Sequence, residues 1–183
     1  MSTVKLSGLG RRLVKDGLIT EEVAVEAIAA SRREKKGFVS YLVETGQVDG
    51  KLVAETAAHE FGSPVFDLTS YDVSLFNKDL VKPELLTKHQ VVPLYKRGNR
   101  SFIAITDPTN LQALDEIKFN TGLGVEAIVV EAMALQDFIK QIEKGQEEQV
   151  GDGMQGLEDA GLDDLDIEAV DEDGGGDGVN VNQ

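Results

Sequence analysis

The chain has 183 residues, a net charge of −15 and no cysteine, which excludes disulfides and thiolate metal sites and argues against general affinity for nucleic acid. No run of about 18 apolar residues occurs, so no membrane-spanning helix is predicted. The absence of cysteine fits a reducing compartment, and we expect a cytoplasmic location. The charge is uneven, because 13 of the 33 acidic residues follow Gln146 in a stretch without Lys or Arg.

A duplicated segment dominates the first part of the chain. Residues 13–20, Leu-Val-Lys-Asp-Gly-Leu-Ile-Thr, return 29 positions later as Leu-Val-Glu-Thr-Gly-Gln-Val-Asp at residues 42–49. Each copy is typical of a helix that ends at a left-handed glycine, Gly17 or Gly46. Thr20 and Asp49 then stand where the N-cap of a following helix is expected. The sequence therefore predicts one helix–glycine–helix unit used twice.

Apolar residues recur at helical spacing as far as Phe61, which predicts a subdomain of four short helices in residues 1–63. Leu6, Leu9, Leu13 and Val14 share one face of its first helix. Because a unit of this size buries little apolar surface, we expect it to pack against its neighbour or against another protein. Residues 64–81 are predicted to form an ordered connector, held by scattered apolar side chains: Phe66, Leu68, Tyr71, Val73, Leu75 and Phe76.

The pattern in residues 82–146 predicts a small α/β subdomain. Pro83 opens a short helix that ends near His89. Two apolar runs, residues 91–95 and 102–105, flank the turn-forming residues 96–100 and predict a hairpin. A third strand at residues 125–130 follows a helix, so the second and third strands are expected to be parallel with a right-handed crossover.

Two further helices are predicted in this α/β part. Thr106, Asp107 and Pro108 indicate the cap and first turn of a helix that ends near Asn120. Its inward residues are predicted to be Leu111, Leu114, Ile117 and Phe119. The last helix is expected at residues 132–144, with these residues facing the core: Leu135, Phe138, Ile139 and Ile142. The fold class is therefore α+β.

Residues 147–183 are rich in Gly, Asp and Glu, and we expect an acidic flexible linker, since so few apolar groups cannot offset the entropy of ordering. Isolated apolar residues leave open a weak docking helix in the same stretch: Leu157, Leu162, Leu165, Ile167 and Val170.

No pattern in the chain indicates a catalytic site. The Gly-x-x-x-x-Gly-Lys-Ser/Thr phosphate loop is missing, and His59 and His89 have no partner at metal-ligand spacing, so neither a catalytic residue nor a metal site is expected. Asp115 and Glu116 are adjacent on a helix and point apart. The glycine stops leave one alternative open, since backbone N–H groups at paired helix starts can bind phosphates.

With these features in place, the chain resembles the N-terminal region of type II secretion and type IV pilus assembly ATPases over residues 5 to about 145. The repeat carries part of the likeness, and the long run from Val92 to Gly122 carries most of it. The resemblance implies a regulatory and docking module joined by a linker to a C-terminal ATPase domain, hexameric in the full protein, that would use ATP and Mg. It also implies a place at the cytoplasmic face of the inner membrane, contact with the pilus machinery and, in some relatives, binding of a PilZ-type adaptor protein.

In relatives like MshE, the duplicated segment binds cyclic di-GMP with an Arg-Leu-Gly start, spaced leucines and a terminal Gln in each copy. This chain departs from that pattern. Gly8 and Gly37 replace the two arginines, while Ser31 and Glu60 replace the two glutamines. Loss of the planar guanidinium removes the group suited to guanine and phosphate. Arg11 or Arg12 could compensate in part.

Two hypotheses follow from the resemblance, and in both this chain itself holds no cofactor. The first is a docking module for a PilZ-type adaptor, with a binding face made of Leu6, Leu9, Leu13 and Val14. The alternative is a direct cyclic di-GMP sensor that uses the repeat through Leu9, Gly10, Arg11, Arg12, Leu13, Gly17, Leu42 and Gly46. A self-contained enzyme is a third reading, which ATP hydrolysis by the chain would support.

Overall fold

The structure, a computed structural model, describes residues 5–159, with side chains as far as Gln146. Within this range the chain forms seven α-helices and a three-stranded sheet, the α+β class predicted from the sequence. The helices are α1 Gly8–Lys15, α2 Glu21–Glu34, α3 Phe38–Glu44, α4 Gly50–Phe61, α5 Pro83–His89, α6 Leu111–Thr121 and α7 Ala132–Asp159. The strands are β1 Val92–Arg97, β2 Arg100–Ile105 and β3 Gly124–Val129.

The duplicated segment forms the same helix ending twice. Gly17 and Gly46 follow α1 and α3 with φ of 70° and 69°. The amides of Leu18 and Gln47 then bond back to the carbonyls of Leu13 and Leu42, at 3.0 and 2.9 Å. This six-to-one hydrogen bond over a left-handed glycine is the Schellman motif. The predicted glycine stops are confirmed.

The predicted caps of the next helices are also confirmed. The Thr20 hydroxyl accepts a hydrogen bond from the amide of Val23 at 3.3 Å, and Asp49 accepts one from Leu52 at 3.0 Å. Each cap satisfies an amide of the first helical turn that has no backbone partner. Both copies therefore set the direction of α2 and α4 with the same local chemistry.

The helices of the repeat pack across the two copies. Both α1 and α3 contact α2 and α4, so the first helix of each copy lies against the second helix of both. The repeat core consists of small and branched side chains that are almost completely buried: Leu9, Leu13, Ala24, Ala27, Val39, Leu42, Val53 and Ala57. Alanines on α2 and α4 permit close approach of the helices, and leucines on α1 and α3 fill the space between them.

The connector packs as predicted except at Leu75. Leu68 and Phe76 are buried, and Tyr71 packs edge-to-face on Phe138 with ring centroids 5.6 Å apart. The expectation that Leu75 also faces inward was wrong, since its side chain is 70% exposed. Val73–Leu75 is a single 3₁₀ turn, in which residues three apart point the same way. Val73 and Phe76 therefore face the core and turn Leu75 outward.

The sheet has the predicted topology. β1 pairs with β2 as an antiparallel hairpin, and β2 pairs with β3 in parallel. The hairpin register shifts between Pro93 and Tyr95, where proline has no N–H to donate to a ladder. At the free edge of β3, Val65 forms a bridge to Val129. The connector is thereby fixed to the end of β3.

Helix α6 begins later than predicted, and its predicted buried face is confirmed at Ile117 and, by packing against the larger core, at Leu114, but not at Leu111 and Phe119. Asp107 is not the helix cap, because its carboxylate closes a turn by accepting a hydrogen bond from the Thr109 amide at 2.8 Å. Asn110 caps the helix instead. Ala113 and Ile117 are fully buried, whereas the predicted inward residues Leu111 and Phe119 are 65% and 91% exposed. Each lies two positions, about 200° of helix rotation, from a buried residue.

Helix α7 is longer than the predicted 132–144. It runs to Asp159. One glycine at residue 145 costs only about 1 kcal/mol in a helix, and the next four residues, Gln146 to Gln149, are good helix formers that carry the helix past it. The added part also contains Gly151, Gly153 and Gly156. The four predicted inward residues are buried as expected: Leu135, Phe138, Ile139 and Ile142. The remainder of the predicted acidic linker lies outside the described residues, as do Leu162, Leu165, Ile167 and Val170.

Residues 5–146 lie in one compact unit that contains two apolar clusters. The larger cluster lies between the sheet, the connector, α5, α6 and α7, and the smaller is the repeat core. Val129 and Ala132, at the β3–α7 junction, belong to the repeat core, while Val130 and Leu135 belong to the larger one. The junction thus joins the repeat to the sheet.

Candidate functional site

A cleft of about 450 Å³ opens where the repeat meets the loop between β2 and α6. The repeat contributes the start of α1, the end of α2 and the start of α3. The other wall comes from the end of α5 and the β2–α6 loop. Charged and polar groups from both walls line the cleft beside apolar side chains, among them Lys5, Arg32, Phe38, His89, Asp107 and Thr109.

Thr109 packs against the start of the first copy. Its hydroxyl accepts a hydrogen bond from the amide of Leu9 at 3.4 Å. A Cβ added to Gly8 would lie 3.0 Å from the Thr109 methyl and 3.6 Å from the Phe61 ring. Gly8 is the position at which MshE-like relatives are expected to carry an arginine. In this chain the β2–α6 loop stands directly against that position.

The start of the second copy lies in the cleft itself. Gly37, Phe38 and Val39 line it, at the positions that correspond to Arg-Leu-Gly. The Phe38 ring lies against α1, 3.5 Å from where a Cβ on Gly10 would be. An aromatic side chain of the second copy therefore covers a glycine of the first.

The candidate arginine Arg12 is already engaged within the repeat. Its Nε donates to Asp16 at 2.7 Å, and a terminal nitrogen donates to Glu60. The hydrogen bond to Asp16, with the attraction of both carboxylates, raises the pKa of Arg12 above its ordinary value. Glu60 stands at one of the two expected glutamine positions. At this position the chain therefore carries, in place of the expected glutamine, a carboxylate that pairs with Arg12.

The other candidate glutamine position, Ser31, is also satisfied internally. Its side chain is 9% exposed, and its hydroxyl donates to the carbonyl of Ile28 at 3.0 Å. Arg11 is exposed and is not among the residues that line the cleft. The remaining cyclic di-GMP candidates, Leu9, Gly10, Leu13, Leu42, Gly17 and Gly46, are core residues or helix stops.

The predicted adaptor face is divided between core and surface. Leu9 and Leu13 are completely buried, so they hold the repeat together and offer no contact to a partner. Leu6 and Val14 pack at the edge of the same cluster and remain partly exposed. Direct contact with another protein is therefore available to Leu6 and Val14, and the binding roles themselves stay predictions.

A charged cluster links α5 to α6, and one of its residues, His89, lines the cleft. His89 Nε2 lies 2.6 Å from Glu116, and Lys88 Nζ donates to the same carboxylate at 2.8 Å. The hydrogen bond from Lys88, and after it the bond with His89, lowers the pKa of Glu116. Since Lys88 and His89 occupy the last turn of α5, the cluster fixes the end of that helix.

Sequence patterns could not identify the cleft, because its two walls come from segments that are 50 or more residues apart. The one available signal was the basic run at the end of α2, from which Arg32 reaches the cleft. The side chains described in the structure include no cluster of three or more potential metal ligands. The described helices include none with the length and apolarity needed to span a membrane.

Comparison with known proteins shows what this chain is similar to. The MshEN domain family matches residues 61–149. The type IV pilus assembly ATPase PilB of Pseudomonas aeruginosa is 40% identical over 92% of this chain, and the PilB of Acinetobacter baylyi is 35% identical over 75%. The chain spans 29% and 24% of the length of these two relatives.

Solved structures share the fold. The structure of MshE with cyclic di-GMP matches 73% of this chain and 96% of its own length, with a TM-score of 0.50 and 20% identity. A crystal form of the N-terminal domain of XpsE matches 75% of this chain and 97% of its own, with a TM-score of 0.53 and 20% identity. At this identity the likeness concerns the fold alone.

Proposed function

Since the chain belongs to the family of MshEN domains found in type IV pilus assembly ATPases, we propose that it is the regulatory docking module of such a motor and binds a PilZ-type adaptor protein through its helical repeat. In this proposal the chain itself performs no catalysis. ATP hydrolysis belongs to the C-terminal part of the relatives, which this chain does not span. The module couples adaptor binding to pilus extension at the cytoplasmic face of the inner membrane.

The main support for the proposal is that residues of this chain already occupy or pair with the positions at which the repeat would bind a nucleotide. Thr109 stands against Gly8, and Arg12 is held by Asp16 and Glu60. A nucleotide would need free guanidinium and amide groups at these places to read guanine and phosphate. Because other residues of the chain, Thr109 among them, already occupy or pair with these positions, we assign recognition to the outer surface of the repeat.

The outer surface of α1 offers an apolar edge for such a partner. Leu6 and Val14 are partly exposed and stand beside the repeat core. Apolar side chains that are only partly covered gain free energy when a partner buries them, about 25 cal/mol per Å². The α1 edge is therefore the binding surface that we assign to the adaptor.

The experiment measures binding of the purified PilZ-type adaptor to the chain by calorimetry. Val14→Asp and Leu6→Asp are each expected to weaken binding about tenfold or more, because each places a charge in an apolar contact. Phe119→Asp is the matched control, since it makes the same type of change at a side chain that is 91% exposed and remote in sequence from the repeat. Unchanged affinity in both α1 variants, with thermal unfolding like the wild type, would exclude this surface.

A direct cyclic di-GMP sensor is the second candidate, supported by the fold shared with MshE solved with that ligand. Calorimetry with cyclic di-GMP separates the two candidates. We expect no binding at micromolar concentrations, because Arg12 is already paired. Micromolar binding that Arg12→Ala abolishes would favour the sensor.

A further inference from the structure

A second exposed surface lies on the β1–β2 hairpin, at the end of the sheet away from the cleft. The strand register pairs Tyr95 with Phe102, Arg97 with Arg100, and Phe102 with Glu126. Paired residues point to the same side of a sheet, and so do residues two apart. These five side chains, the hairpin patch, therefore share one face.

The aromatic pair of the hairpin patch is ordered although it is open to solvent. The rings of Tyr95 and Phe102 are stacked with centroids 4.4 Å apart and an interplanar angle of 14°. Tyr95 is nonetheless 47% exposed. A ring that is already fixed loses little conformational entropy when a partner covers it. Tyrosine and arginine are also the side chains most often found at the centres of interfaces.

The charge of the hairpin patch is positive and only partly compensated. Arg100 donates to Glu126 at 2.6 Å. Arg97 and the adjacent Lys96 are exposed, and neither forms a salt bridge with another residue in the range 5–146. Lys96 pairs with Ser101 and so points to the opposite face of the sheet. The hairpin patch thus presents one free cation, Arg97, beside the Tyr95 ring, in a chain whose net charge is −15.

We infer that the hairpin patch is a docking site for an acidic segment of a partner protein, with a carboxylate on Arg97 and an apolar side chain on the Tyr95 ring. A guanidinium binds a carboxylate through two parallel hydrogen bonds, which gives the contact direction as well as attraction. An anionic membrane surface fits less well, because its recognition by charge takes about four to eight clustered cations. The site lies outside the repeat, so it is independent of the α1 edge.

The test uses the full chain and a fluorescein-labelled peptide of alternating Glu and Leu, with binding followed by anisotropy at low salt. Arg97→Glu is expected to weaken binding about tenfold, and Tyr95→Ser should weaken it while Tyr95→Phe does not. Lys15→Glu is the matched control, because it makes the same charge change on α1 and should leave binding unaltered. Arg97 has no described partner, so its variant retains the fold.

Three results would overturn the inference. The Lys15→Glu variant could lose affinity as much as Arg97→Glu, which would mean general attraction between charges. A peptide of alternating Lys and Leu could bind equally well, which would mean simple apolar adhesion. The chain could instead bind phosphatidylglycerol vesicles through Arg97 and ignore the peptide, which would assign the patch to a lipid surface.

Discussion

Adding a side chain at either of the two glycine stops should lower the stability of the fold by the same amount. Gly17 and Gly46 have φ of 70° and 69°, and a Cβ at either position would meet no atom within 4 Å. Steric clash with neighbours therefore adds nothing, and only the backbone preference remains. The left-handed conformation costs a residue with a side chain about 1–2 kcal/mol. The lower entropy of alanine in the unfolded chain returns about 0.4–1 kcal/mol.

Gly17→Ala and Gly46→Ala are therefore each expected to lower the free energy of unfolding by about 0.5–1.5 kcal/mol, measured in urea. For a chain of this size, each kcal/mol corresponds to a fall in Tm of about 2–4 °C. Gly17→Asn should cost less, since asparagine tolerates the left-handed region better. Gly145→Ala is the control with the opposite sign: it also meets no neighbour and lies inside α7, so it should stabilise by about 0.5–1 kcal/mol. Equal stability of Gly17→Ala and the wild type would refute the reasoning.

Two further predictions concern the repeat core and the α5–α6 cluster. Leu13→Ala removes a completely buried side chain and should cost about 2–5 kcal/mol in urea unfolding; a cost below 1 kcal/mol would mean that the core is loosely packed. Lys88 and His89 lower the pKa of Glu116, so its contribution to stability is present above the unfolded pKa of about 4.3 and is lost as the pH falls through the lower folded pKa. The wild type should therefore exceed Glu116→Gln in stability at neutral pH, and the two should converge in acid; a difference that is constant with pH would contradict the ion-pair origin.

Local chemistry made much of the fold predictable from the sequence. A glycine stop followed by a capping residue is a short-range signal, and both copies of it formed the expected Schellman motif and N-cap. The hairpin was predictable for the same reason, since apolar runs and turn residues act within a few positions. The parallel third strand followed from the helix that connects it to the second strand.

The errors in α6 arose where a tertiary contact competed with a local signal. Asp107 has the sequence context of a helix cap, but its carboxylate is used in a turn that carries Thr109 towards α1. The helix then starts at Leu111, and its rotation is set by Ala113 and Ile117, so Phe119 points to solvent. Periodicity counts apolar residues and does not include the orientation imposed by such a turn.

The candidate site was less predictable than the fold because its decisive contacts are long-range. The sequence shows that Gly8 and Glu60 depart from the expected motif, but the contact of Thr109 with Gly8 joins positions about 100 residues apart. The pairing of Arg12 with Glu60 likewise links α1 to α4. Only the folded structure shows that other residues of the chain, Thr109 and Arg12, contact the positions at which the sequence departs from the motif.

The same contacts indicate which positions can distinguish a ligand-binding repeat from a structural one. Leu9, Leu13 and Leu42 are completely buried, and Gly17 and Gly46 are needed to end the helices. Folding alone therefore requires these residues, whether or not a nucleotide binds, and their presence is no argument for a ligand. The informative positions are those at which the chain differs from the cyclic di-GMP pattern: Gly8, Ser31, Gly37 and Glu60. At all four this chain lacks the arginine or glutamine of the cyclic di-GMP pattern, and this difference is what directs the proposed function towards a protein partner.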